Sequence, residues 1–191
     1  MKSLLVIAAS PFGRLMSVLA HECGRTVVGF VDDWTTGPDI LGTTDDLGHS
    51  LRASDHELVL AIGYRHLQTR LRLFERLRAN GFHFPALVHP TARISPHAEL
   101  GDGCLVMAGA DVDAFTEIGE ACVLWPNTTV SHDNRIGGNT FISPAATLCG
   151  FVTVGEGSFI GANSTIIDGS TLPAGAFVKA STRYHENKHS T

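Results

Sequence analysis

From Ile94 to Val178 every sixth residue is Ile, Leu or Val, beginning Ile94, Leu100, Val106, Val112 and Ile118 and running without a missed position to Leu172 and Val178. Two places before each aliphatic the residue is usually small, as at Ala98, Cys104, Ala110, Thr116, Ala146 and Ser164, and glycine often follows the aliphatic. This is the hexapeptide repeat of a β-helix. Each hexad supplies one short strand and a turn, and three hexads, eighteen residues, close one coil. Because nothing interrupts the run, residues eighteen apart are expected to stack at the ~4.8 Å spacing of neighbouring strands.

That rule sorts the residues preceding each aliphatic into three outward columns. One carries Leu105, Val123, Phe141, Phe159 and Phe177. The other two carry Arg93, Asp111 and threonines, and Glu99, Glu117, Arg135 and threonines. An apolar ladder on one side only predicts a subunit interface, hence a homo-oligomer and most simply a cyclic trimer. The competing expectation is that the N-terminal domain covers the ladder.

Residues 1–85 follow a different pattern, alternating strand-like and helix-like segments. An apolar run at Leu4–Ala9 precedes a helix over about 12–23, and a second strand at Thr26–Val31 ends at Asp32-Asp33. A third strand, Glu57–Ile62, leads to a helix with Leu67, Leu71, Phe74 and Leu77 on one face and a stop at Asn80-Gly81. The prediction is a small α/β domain with a parallel sheet over 1–85, a β-helix over 86–180 and a C-terminal tail over 181–191. Ligands of such sheets bind beyond the carboxyl ends of the strands, here Ala8–Gly13, Asp32-Asp33 and Gly63–Arg65. The first of these loops lacks the glycines of a GxGxxG turn, so a dinucleotide cofactor is not expected. The alternative is a cap used only for packing.

Composition narrows the function further. Apolar residues make up 43% and charged residues 17% of 191, a globular chain of low charge, which suits self-association. The net charge of −5 arises in the second half, since residues 1–85 hold nine basic and nine acidic residues and residues 86–191 hold five and ten. With no basic run and no aromatic-basic interleaving, nucleic acid is not an expected partner. The Leu4–Ala9 run is too short to span a membrane and no cleavage pattern precedes Pro11, so neither membrane insertion nor export is expected and the location is read as cytoplasmic. Cys23, Cys104, Cys122 and Cys149 form no CxxC pair and read as buried reduced thiols.

His132-Asp133 follows the inward Val130 by two residues and falls on an outward turn. An imidazole with a neighbouring carboxylate has the composition of a general base. Alone, an outward histidine is an ordinary surface residue. Gly150, however, is eighteen residues on and stacks over it, and its N–H is sterically open. A base beside a backbone donor provides proton acceptance and oxyanion stabilisation for acyl transfer. Gly150 is equally explained by turn geometry. No HxxxxH pair occurs in the repeat, so no metal is expected. Lys179, Arg183 and Lys188 are candidates for coenzyme A phosphates, or solvated tail charges.

The α/β segment with Phe30-Val31-Asp32-Asp33, the linker His83-Phe84-Pro85-Ala86-Leu87-Val88-His89-Pro90, and hexads bearing His132-Asp133 and Cys149-Gly150 together resemble the PglD- and NeuD-type family of hexapeptide-repeat sugar N- and O-acyltransferases. The resemblance spans nearly the whole chain. It implies a left-handed helix of triangular section, a homotrimer with acetyl-CoA in a groove between adjacent β-helices, and a nucleotide-linked amino sugar held by the N-terminal domain. By position it implies His132 as base, Asp133 as its acidic neighbour and Gly150 as donor to the thioester carbonyl. It also implies Ser10, Asp32 and Asp33 at the nucleotide, and Lys179 near CoA.

The chain departs from that family at three places. Trp125 stands where the family has Asn and is assigned to the sugar pocket, Phe141 stands where it has a second histidine, and the usual ending after the last coil is absent. The implied reaction is N-acetylation of a nucleotide-linked amino sugar in surface-glycan biosynthesis. The alternatives are sugar O-acetylation, on a sialic-acid-like acceptor for example, and a non-catalytic trimer that binds a nucleotide sugar.

Overall fold

The computed structural model describes residues 2–185. Lys188 therefore lies outside the described residues. The chain forms two compact units that divide between Val88 and His89.

The first unit is a four-stranded, all-parallel sheet with two helices. Its elements are β1 (Ser3–Ile7), α1 (Pro11–Glu22), β2 (Val27–Val31), β3 (Ile40–Gly42), β4 (His56–Leu60) and α2 (Leu67–Ala79). The sheet order is β3-β2-β1-β4. Leu4, Leu5, Val6 and Ile7 are all buried, as an inner parallel strand covered on both faces requires. Three sequence expectations change. The short strand β3 was not foreseen. On α2 the residues buried beside Phe74 and Leu77 include Arg70, whereas Leu67 and Leu71 are only half-buried. Cys23 and Cys149 are half-buried too, and only Cys104 and Cys122 are enclosed, all four being free thiols. Burial raises the Cys23 thiol pKa, aided by Glu22.

The second unit is a β-solenoid of three parallel sheets with two-residue strands, one outward and one inward residue in each. The register is eighteen throughout, for example Glu117↔Arg135, Val123↔Phe141 and Thr129↔Thr147. The inward aliphatics from Val106 to Val178 are buried. At the corners, the third residue after each inward aliphatic takes positive φ without exception from Gly103 to Ser181, so each corner turns through the left-handed region. The residues two places before the inward aliphatics are buried from Cys104 to Ser170, and several of them bond to corner carbonyls. Cys104 Sγ donates to Gly119 O, Thr116 Oγ1 to Ser131 O, and Ser164 Oγ to Gly161 O. The last strand, Arg183–Tyr184, pairs with Thr165–Ile166.

The apolar ladder is not the open surface expected of it. Leu105, Val123 and Phe141 are buried within the single chain, Phe159 is half-buried, and Phe177 alone is exposed, stacked on Phe159. Since the chain itself already covers its first three members, a continuous ladder does not argue for a trimer.

Candidate acyl-transfer site

Two places bring functional side chains together, one in each unit. In the α/β unit the loops after β1 and β2 meet, and α1 begins. Ser10 is the N-cap of α1, accepting from Gly13 N at 3.1 Å, and Pro11 opens the first turn. Ala8 has φ +80°, a conformation glycine usually supplies, and its carbonyl packs so closely on Gly13 that a Cβ there would lie 1.9 Å from it. The loop thus keeps a glycine turn's geometry with a single glycine.

Asp32 braces this loop. One carboxylate oxygen accepts from Ala9 N at 2.7 Å, the other from Trp34 N at 2.9 Å and Thr35 N at 2.7 Å. Burial on its own would raise the Asp32 pKa, but these backbone donors outweigh it and hold the carboxyl below its ordinary value. Asp33 ties down the next loop through Thr44 N and Oγ1. Ser10, Asp32 and Asp33 are thus engaged with the protein's own backbone and shape the loops around a cleft.

That cleft, about 320 Å³, opens at the carboxyl ends of the strands, lined by Ala8, Asp32, Asp33, Trp34, Arg72 and Arg76 among others. Trp34 is 89% exposed. An exposed indole and two guanidiniums suit a base and phosphates. Sequence reading missed all three. Arg72 and Arg76 share a helix face four apart, and that spacing was a usable signal.

In the solenoid, Ser131-His132-Asp133-Asn134 forms one corner. Asp133 sits at the left-handed position, φ +57°, a conformation that aspartate tolerates better than most residues. From there its Oδ2 lies 2.9 Å from His132 Nδ1. A carboxylate only accepts, so Nδ1 carries the proton and Nε2 is left as the acceptor. Nε2 faces the next corner, where a Cβ on Gly150 would come within 3.0 Å of Nε2 and 2.8 Å of Cε1. Only glycine leaves room for the ring. The Gly150 N–H has no acceptor among the described residues.

Asn134, which sequence reading missed, locks the corner. It is fully buried, donates Nδ2–H to Ser131 O at 2.7 Å and accepts Val152 N on Oδ1 at 2.6 Å. One amide thus ties the His132 corner to the Gly150 corner. The imidazole also receives the edge or face of Phe151, a perpendicular contact with centroids 5.2 Å apart.

Trp125 and Lys179 are not part of this cluster. Each directly follows a strand of the sheet that holds Val123–Leu124 and Phe177–Val178, so both lie on the neighbouring edge of the three-sided coil. Among the described residues no group of three or more histidine, cysteine or acidic side chains converges as a metal site, and no helix is long and apolar enough to cross a membrane.

A hexapeptide-repeat solenoid that follows a small parallel α/β unit is the architecture of an acyltransferase. The chain belongs to the bacterial hexapeptide-repeat acetyltransferases, which draw their acyl group from acetyl-CoA. Residues 135–168 match the family profile "Bacterial transferase hexapeptide (six repeats)". The acetyltransferase domain of PglB from Neisseria gonorrhoeae in complex with acetyl coenzyme A is 31% identical, with 96% of this chain and 91% of that one covered and a TM-score of 0.91. PerB from Caulobacter crescentus in complex with CoA and GDP-perosamine is 30% identical, with 95% and 87% covered and a TM-score of 0.87. WeeI from Acinetobacter baumannii, 21% identical over 94% of each chain with a TM-score of 0.74, shares the fold. No curated protein matches the chain significantly.

Proposed function

We propose that the protein is an N-acetyltransferase that moves the acetyl group of acetyl-CoA to the amino group of a nucleotide-linked sugar. The observation that carries this reading is the His132 corner: Nδ1 committed to Asp133, Nε2 turned to Gly150, and a Gly150 N–H without an acceptor. The similarity to PerB bound to CoA and GDP-perosamine, and to PglB bound to acetyl coenzyme A, supports the choice of substrates.

In this reading His132 Nε2 accepts the proton of the attacking amine as its nitrogen bonds to the thioester carbonyl carbon. Asp133 holds the tautomer and stabilises the imidazolium. The Gly150 N–H donates to the carbonyl oxygen as it gains charge. The C–S bond then breaks, and His132 returns its proton to the departing sulfur. The cleft around Trp34, Arg72 and Arg76 binds the nucleotide, with Ser10, Asp32 and Asp33 shaping its walls. The molecule acts as a homotrimer in the cytoplasm, serving surface-glycan synthesis. Trp125 and Lys179, lying on the neighbouring edge, meet sugar and CoA from an adjacent protomer.

The test follows CoA thiol release with UDP-, dTDP- and GDP-linked amino sugars, for a sample whose mass is read by light scattering. Turnover of one acceptor by a trimer is expected, and His132→Ala should lower it by roughly 10²- to 10⁴-fold. Turnover that survives His132→Ala would remove the proposed base. Turnover of hydroxyl acceptors alone would replace N- with O-transfer.

A further inference from the structure

The stacking that places Gly150 over His132 continues one coil further. Asp168 follows Gly150 by eighteen residues, and the Gly169 N–H donates to the Gly150 carbonyl in the regular ladder. The Asp168 side chain leans back over Gly150, so that its Oδ1 lies 3.0 Å from the position a Gly150 Cβ would occupy. His132 Nε2 is 3.0 Å from the same point. The two heteroatoms are thus no more than twice that distance apart, across a gap kept open by the missing side chain. The Asp168 carboxylate is exposed and has no hydrogen-bond or ion-pair partner among the described residues.

A nitrogen standing just outside that point, off the Gly150 Cα, can donate to both groups, since two hydrogen bonds of ordinary length, about 2.9 Å each, bridge acceptors up to about 5.8 Å apart. We propose that Asp168 selects an amine as the acyl acceptor. This rests on the N-acetyltransferase reading and deepens it. A primary amine has two N–H bonds beside the lone pair that attacks, so it satisfies His132 Nε2 and the Asp168 carboxylate at once. A hydroxyl has one hydrogen. Given to His132, it leaves the carboxylate facing the hydroxyl oxygen without a donor.

The difference persists through the reaction. As the C–N bond forms, one N–H proton passes to His132 Nε2, the C–S bond breaks and the proton leaves on the CoA sulfur. The amide product keeps one N–H for Asp168, whereas an ester product would keep none.

The test uses CoA thioethers, which place a probe group beyond the sulfur without any sugar. S-(2-aminoethyl)-CoA and S-(2-hydroxyethyl)-CoA are titrated calorimetrically into the wild type, Asp168→Asn and Asp168→Ala, with unmodified CoA as the control. In the wild type the amino probe should bind tighter than the hydroxyl probe by roughly 10- to 100-fold, the range for a hydrogen bond to a charged group. In both variants the gap should close while CoA affinity stays unchanged. An amine preference that survives in both variants, or none in the wild type, overturns the proposal. Weaker binding of CoA itself in the variants would assign the carboxylate to the cofactor instead, and also overturns it. Failure of wild-type protein to bind CoA at all would reject the acetyltransferase reading and this proposal with it. Because the thioether arm needs no sugar, a wrong sugar in the turnover panel leaves this test standing.

Discussion

Phe151 is held at φ +57° and is 58% exposed, and Phe115, on the coil below Asp133, is held at φ +62° and is 65% exposed. Bulky L-residues avoid that region, at a cost of about 1–3 kcal/mol each, and glycine or asparagine occupies many of the equivalent corners. Two phenylalanines there, one on each side of Asp133, point to a benefit in the site that outweighs the local strain. For Phe151 the contact is visible, its ring set perpendicular to His132. Phe151→Gly should therefore raise Tm by about 2–4 °C for each kcal/mol of strain relieved, while lowering kcat because the imidazole loses the ring that limits its swing. Differential scanning calorimetry and a turnover assay on the same sample read the two effects. A variant both less stable and fully active would show that the ring serves packing alone.

At the scale of elements, the site is two adjacent corners fastened by Asn134. Removing its side chain leaves the Val152 N–H without an acceptor inside the coil and frees Ser131 O from one of its two donors. Asn134→Ala should cost about 1–3 kcal/mol of stability. It should also depress kcat without touching His132, whereas Thr147→Ala, on an outward strand position away from the corner, should change neither. Denaturant titration and turnover check the pair.

The solenoid was legible because the hexad period alone determines which residues stack, and His132 over Gly150 followed from counting eighteen. Asn134 escaped because it occupies a position otherwise filled by Ala, Cys, Thr, Ser and, once, Val, whose common property is modest size, and its amide bonds are invisible to that pattern. Asp168 escaped because the same count was taken one step and not two. In the α/β unit Asp32 and Asp33 fall just after the second strand, as the sequence pattern had it, but sequence gives no sign that a carboxylate will spend both oxygens on backbone N–H groups. The ladder failed for a related reason. An outward position on a coil need not be a surface position, as the buried Leu105, Val123 and Phe141 show.

The two units differ in how they respond to acid. In the α/β unit, burial by itself would raise the Asp32 and Glu57 pKa values. The backbone donors of Asp32, and Arg25 and His83 beside Glu57, outweigh burial and hold both carboxyls below their ordinary range. A depressed folded pKa means that the unfolded chain binds the proton more tightly. The stabilisation is complete above the unfolded carboxylate pKa of about 4 and is lost as pH falls through the lower folded values. The solenoid's ion pairs, Arg93 with Asp111 and Arg135 with Glu117, are exposed and contribute little. Hydrogen exchange followed between pH 6 and pH 3 should show the α/β amides losing protection while the solenoid ladder keeps it. Asp32→Asn should flatten that acid dependence.

The unbroken period of six also makes the solenoid behave like a reading frame. Deleting one residue at a corner between Ile94 and Val178 would turn every later aliphatic outward and every later threonine or phenylalanine inward, so the lesion would spread from the cut to the end of the repeat. Deleting or duplicating eighteen residues would restore the frame, adding or removing a whole coil. A coil duplicated above Asp168 would leave the catalytic corners in register, whereas a coil of different sequence inserted between His132 and Gly150 would part the base from its backbone donor while the fold stayed intact.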